Sequence, residues 1–184
     1  MDKRIVKTNA AIYKALADLL KEKDFAELSV EDILQKSGVS RSTFYAHFKT
    51  KVDVLDSISR NIFDHVLSHA LSREHSHDFS GASIFEYQSF FTHILYHLQD
   101  EKELIHSILG SSCKTRFFKD LREKISDLTY HSLHEGIFVK KEVPEELQIQ
   151  EIGESFLTLI EYWFSTGLSE SPEKMTSYFI ALHQ

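Results

Sequence analysis

Cysteine is all but absent from this chain. Cys113 is alone among 184 residues, so no disulfide can form within one copy, and a reducing compartment, the cytoplasm, is expected. Proline and glycine are scarce too, at two and six. A chain with so few breakers, rich in Leu, Glu, Lys and Ile, favours long helices. Period-2 alternation long enough for a sheet is missing. No apolar run approaches the ~20 residues that span a bilayer, so no membrane association is expected. Asp2-Lys3-Arg4 leads into a helical pattern, not the apolar core of a secretory leader. Enzyme signatures are lacking as well: there is no GxSxG, no Gly-rich phosphate loop and no HExxH. Cys113 beside Lys114 is thin evidence for a reactive thiol and reads as a packing residue at a helix start. No enzyme and no resident cofactor are expected.

Apolar surface is present in quantity. Hydrophobic residues make up 42% of the chain, enough for a core. The net charge of -7 argues at first against a nucleic-acid partner. Its distribution argues the other way: residues 1–51 hold 10 Lys/Arg against 7 Asp/Glu, and the remainder holds 11 against 21. A basic head on an acidic body suits DNA binding, because the body repels DNA from the wrong faces.

The first helix carries Ile5, Ile12, Leu16, Leu19 and Leu20 on one stripe and closes at Asp24-Phe25. Ser29 and Asp32 form a capping-box pattern for a second helix, with Val30, Ile33 and Leu34 inward. Gly38 supplies the turn that ends it. Ser40 then caps a short third helix, Arg41 to Phe48. Two short helices joined by a Gly turn make a helix-turn-helix, whose second helix enters the major groove. The composition of the third helix strengthens that reading. Arg41, Ser42, Thr43, Tyr45 and His47 are potential donors, and only Phe44 and Phe48 are apolar anchors.

Val39 to Lys51, with Leu28-Ser29-Val30-Glu31-Asp32-Ile33-Leu34 and Ser37-Gly38-Val39 before it, resembles the recognition segment of the TetR/AcrR family of bacterial regulators. The resemblance covers about the first third of the chain. It implies phosphate contacts from Tyr45, His47, Lys51 and Ser29, and base-facing positions for Arg41, Ser42 and Thr43, beside the cap Ser40. Arg41 is the candidate for bidentate guanine recognition. Lys3, Arg4 and Lys7 are an optional basic arm. The expected architecture is all-α, with about nine helices. A three-helix DNA-binding head (1–50) is joined by a continuous fourth helix to a helical ligand-sensing and dimerisation bundle (51–184). Such a regulator, expected to repress, binds double-stranded operator DNA as a homodimer and is modulated by a small-molecule effector. The effector's identity is not legible in the residues.

Thr50 to Asp53 opens the fourth helix with another capping box, and Leu55, Ile58, Ile62 and Val66 share one stripe. The stretch 72–78 reads as a loop, and five further helices follow, starting near Ser83, Glu101, Lys114, Pro144 and Ser171. Aromatic residues concentrate there. Phe91, Leu95, Phe117 and Tyr162 are the pocket-lining candidates. The wide apolar face of the eighth helix suggests that Phe156, Ile160 and Trp163, with Tyr178 and Phe179 of the last, meet a second subunit. Eleven histidines leave one alternative open. His65/His69 and His93/His97 stand at i, i+4, His131/His134 at i, i+3, and His75/His77 in the loop, so a zinc-responsive regulator is the second reading.

Overall fold

A computed structural model of the chain describes residues 3–68 and 87–184, with side chains over 5–62 and 90–184. The loop expected at 72–78, the helix start near Ser83, and the side chains of Lys3, Arg4, His65, His69, His75 and His77 lie outside these described residues. Among them the structure is all-helical and has no strand. The helices are α1 (Lys3–Leu20), α2 (Val30–Ser37), α3 (Arg41–His47), α4 (Lys51–Ser68), α5 (Tyr87–Asp100), α6 (Lys102–Leu109), α7 (Lys114–His134), α8 (Glu145–Ser165) and α9 (Pro172–Ala181). One short 3₁₀ turn, Phe25–Glu27, interrupts the connection from α1 to α2.

Local signals place the boundaries. Ser29 caps α2 and closes a full capping box with Asp32. Gly38 ends α2 in the left-handed region at φ 67°, its N–H donating to the Leu34 carbonyl at 3.0 Å. The Thr50 hydroxyl accepts from Asp53 N–H, and the Asp53 carboxylate takes the N–H groups of Lys49 and Thr50, so α4 starts with the expected box. These two bonds hold the Asp53 carboxyl below its usual range. Gly136 and Gly167 follow α7 and α8 with positive φ, and Ser171 caps α9 ahead of Pro172.

The chain divides into two compact units. The first comprises Met1–Asn61 together with Glu101–Phe117, so it takes in α6 and the first turn of α7 as well as the expected head. Its core is built from Ile12, Leu16, Ile33, Phe44, Val54, Leu55 and their neighbours. Three polar links tie the later segment to the earlier one. Lys21 reaches Glu103 at 2.9 Å. Asp24 accepts from both the hydroxyl and the N–H of Ser112, which lowers its pKa below the carboxylate norm. Arg116 grips Asp56 through two parallel bonds of 2.6 and 2.7 Å.

The second unit comprises Ile62–Asp100 and Phe118–Gln184. Its centre is aromatic. The Phe91 ring meets Phe179, Phe156 and Phe138 edge-on, with centroids 4.8, 5.1 and 5.9 Å away. Such T-shaped contacts each add to the burial of large rings. Trp163 is fully buried and its indole N–H donates to the Glu170 carbonyl at 2.8 Å, so its one polar atom is satisfied. Gln148 bridges the turn before α8, bonding Val139 and Lys141 main-chain groups.

Candidate nucleic-acid interface

The recognition helix α3 is anchored by little. Phe44 is fully buried and Phe48, its C-cap, nearly so; their rings lie 5.6 Å apart. Arg41, Ser42, Tyr45, Ala46 and His47 are exposed, and Thr43 is half-buried. The Tyr45 ring leans edge-on against Phe44, centroids 5.4 Å apart, and still shows half its surface to solvent. Its hydroxyl makes no hydrogen bond among the described residues. An exposed phenol on a packed ring is a rigid donor facing outward.

The two serines flanking the motif serve the backbone. Ser40 accepts from Thr43 N–H, and its hydroxyl also bonds the hydroxyls of Thr43 at 2.8 Å and Ser42 at 3.1 Å. Ser29 accepts from Asp32 N–H and donates to the Asp32 carboxylate at 2.6 Å. That carboxylate also receives Ser29 N–H and Lys23, and its pKa is pushed far below the usual range, first by the Ser29 hydroxyl. Both serines are exposed, but each is first of all a cap.

Lys51 is placed where α4 begins, but its ammonium is engaged with the chain. It donates to the carbonyls of Leu28 at 2.6 Å, Phe25 at 2.7 Å and Ala26 at 3.0 Å, and lies 4.9 Å from the centre of the Phe25 ring. An ammonium has three donors, and all three are taken. Lys51 therefore pins the start of α4 to the 3₁₀ turn. The neighbouring Lys49 is exposed and makes no ion pair among the described residues. Sequence reasoning passed over Lys49, although it lies inside the motif that the resemblance rests on. Most other cations of the head are paired: Lys14 with Asp18, Lys23 with Asp32, Lys36 with Glu22, and Arg41 with Glu31.

The body residues named from the sequence fall into a buried set and an exposed set. Phe91, Leu95 and Phe117 are fully buried; the first two belong to the second unit and Phe117 to the first. Tyr162, named with them, is 57% exposed. Phe156, Ile160, Trp163 and Phe179, named for a subunit contact, have 0% exposure within a single chain and so no surface to offer a partner in this conformation. Tyr178 is exposed, as are Tyr162, Leu147 and Leu182. Of the histidines, His93 and His97 bring their Nε2 atoms to 2.9 Å. His134 bonds the Tyr130 carbonyl. Among the described residues no group of three or more His, Cys, Asp or Glu is gathered as a metal site would require. No helix of the described residues is long and apolar enough to cross a membrane.

Comparison with known proteins bears on both units. Residues 12–58 match the family model described as bacterial regulatory proteins, tetR family. Residues 86–184, over half of the chain, match a transcriptional regulator C-terminal region. The uncharacterized HTH-type transcriptional regulator YxbF of Bacillus subtilis is 33% identical over 81 residues, 44% of this chain and 21% of its own. The HTH-type dhaKLM operon transcriptional activator DhaS of Lactococcus lactis is 32% identical over 66 residues, 36% of this chain and 35% of its own. The matched segment thus spans about a fifth to a third of the length of these curated relatives. The crystal structure of a TetR transcriptional regulator from Streptococcus agalactiae superimposes with a TM-score of 0.72 at 25% identity, covering 100% of this chain and 97% of that one.

Proposed function

The chain belongs to the TetR family of bacterial transcriptional regulators, and on that premise we propose that it binds operator DNA sequence-specifically as a homodimer in the cytoplasm. The carrying observation is α3 itself. Its buried anchors are Phe44 and Phe48, and it turns Arg41, Ser42, Tyr45 and His47 to solvent beyond the Gly38 turn. A helix with so little packed surface and so many outward donors suits a groove lined by bases and phosphates. Arg41 reads a base edge, flanked by Ser42 and Thr43. Tyr45, His47 and Lys49 hold phosphates, while Ser29, Ser40 and Lys51 hold the reading helices in place.

Two copies give the reader its symmetry. Leu147 and Tyr162 of α8, Tyr178 of α9 and its C-cap Leu182 are exposed large apolar side chains, and we assign the subunit contact to them. A two-fold pair then presents its recognition helices to half-sites one DNA turn, ~34–36 Å, apart. Repression, relieved by a small molecule held in the second unit, is the proposed outcome. In that unit Thr129 Oγ1 and both ring nitrogens of His183 are buried with no hydrogen-bond partner among the described residues, and buried polar atoms of this kind are where a ligand or an ordered water finds a use. DhaS carries the name of an activator, so the sign of regulation is measured, with a promoter reporter in cells with and without the chain.

Selection of bound sequences from a random DNA pool, followed by titration of the selected site, tests the reading. Arg41→Ala should relax base preference at one position by about 1–3 kcal/mol, and Tyr45→Phe should weaken every site alike. If Arg41→Ala left the selected sequence unchanged, the base-reading assignment would fall. Tyr162→Glu with Tyr178→Glu should yield monomers in sedimentation and lose the preference for paired half-sites.

A further inference from the structure

Arg41 does not stand free at the head of α3. Its Nη2 donates to Oε2 of Glu31, in the first turn of α2, so the two helices of the reader are joined by an ion pair across their outer side. Both side chains are about two-thirds exposed, at 68% and 65%. A pair so open to water adds little to stability. A carboxylate beside the base-reading guanidinium also opposes the phosphates that the head must approach. The cost to general DNA affinity is plain, and stability does not explain it.

We propose that Glu31 is a specificity-determining residue that acts through Arg41; the proposal rests on Arg41 being the base reader. A guanidinium carries five N–H donors on a rigid plane. Glu31 engages one of them and neutralises the charge, leaving the other edge of the plane open. A phosphate offers the paired Arg41 only a negative charge that Glu31 already supplies. A guanine offers O6 and N7 together, two acceptors matched to the open edge. The pair therefore lowers the attraction of Arg41 for DNA of any sequence more than its attraction for the right base. It also holds the long side chain in one orientation before binding, which reduces the ordering cost at the operator alone. Glu31 works as an element set against the wrong partner.

The test compares operator and scrambled duplex DNA over a range of salt concentrations, using full-length protein. Glu31→Gln should tighten scrambled DNA about 3- to 10-fold and steepen its salt dependence by about one counterion, with the operator changing about twofold or less. The ratio of the two affinities falls. Glu31→Asp keeps the charge but draws the carboxylate back by one methylene; it should lower the ratio as well, because the pair is what counts. Glu27→Gln removes an equal charge from the 3₁₀ turn and should leave the ratio alone. In the Arg41→Ala background Glu31→Gln should no longer change the ratio. Equal tightening of both DNAs, a wild-type ratio for Glu31→Asp, or a full effect without Arg41 would each overturn the proposal. If instead Arg41→Ala itself leaves sequence preference intact, the base-reading assignment has failed, and with it the premise.

Discussion

The two units are held in different ways. The head's surface carries hydrogen bonds that close within a few residues: Ser29 to Asp32, Ser40 to Thr43, Thr50 to Asp53. The body's centre is held by rings, Phe91 against Phe138, Phe156 and Phe179. Both units bury polar atoms with no hydrogen bond among the described residues: Asn9 Oδ1 and Ser59 Oγ in the head, Thr129 Oγ1 and both ring nitrogens of His183 in the body. A surface meant for DNA must hold its donors still while keeping them exposed, and short-range caps do that without burying anything. The contrast separates a surface preorganised by local caps from a centre held by aromatic packing.

The sharpest way to break the contrast is to damage the body's aromatic centre. Phe91→Ala removes a ring in contact with Phe138, Phe156 and Phe179 and should destabilise the chain by about 3–5 kcal/mol, read by urea unfolding. No substitution among the exposed donors of α3 should approach that loss. An effect below about 1 kcal/mol would mean that the ring cluster is loosely packed and is not the body's core.

Next in size is Lys51→Ala. Three carbonyls lose their donor at once, and the head should lose about 1–3 kcal/mol. Lys49→Ala, two residues away, should leave stability unchanged and reduce the salt dependence of operator binding by about one counterion. The opposite pattern, with Lys51 altering the salt dependence and not stability, would restore Lys51 as a phosphate contact and remove Lys49 from the interface.

This pair of lysines shows where sequence reading reaches its limit. The capping boxes at Ser29 and Thr50, the Gly38 turn and the two Phe anchors of α3 all operate within about four residues, so their partners can be named from the order of residues alone. Lys51 bonds to carbonyls 23 to 26 positions upstream. Nothing in its neighbourhood signals that, and a lysine at a helix start looks like an anion contact. The same limit applies in α8. Its apolar face is too wide for one neighbour, and the pattern alone does not say what covers it. At Phe156 the neighbours come from the same chain, Phe91 of α5 and Phe179 of α9. Apolar periodicity reports that a face is covered and is silent on which copy covers it. The head's extent is another long-range property. Its links to Glu103, Ser112 and Arg116 span 60 to 88 residues, so the order of residues alone does not show that α6 groups with the first unit.

The smallest expected effect belongs to one buried group of the body. His183 follows α9, almost wholly shielded, with its ring against Phe138 and Phe179 and its carbonyl accepting from Val139 N–H at 3.0 Å. Burial pushes its pKa below the usual 6.5; Glu151, with Oε2 3.6 Å from Nδ1, opposes that shift, and Lys141 reinforces it. The sign follows from proton linkage. Below pH 6.5 the unfolded chain binds a proton at this position that the folded chain resists, so the neutral ring's contribution is complete above that pH and is lost as pH falls through the depressed folded value. Urea midpoints measured between pH 8 and pH 5 should therefore decline for the wild type, and His183→Phe should flatten the part of the decline due to this residue. A decline of equal slope in His183→Phe would place the acid sensitivity of that range in other groups. The head's capping carboxylates Asp24, Asp32 and Asp53 have pKa values held below the usual range, so their contribution is lost only at lower pH, and the two regions should separate along the pH axis.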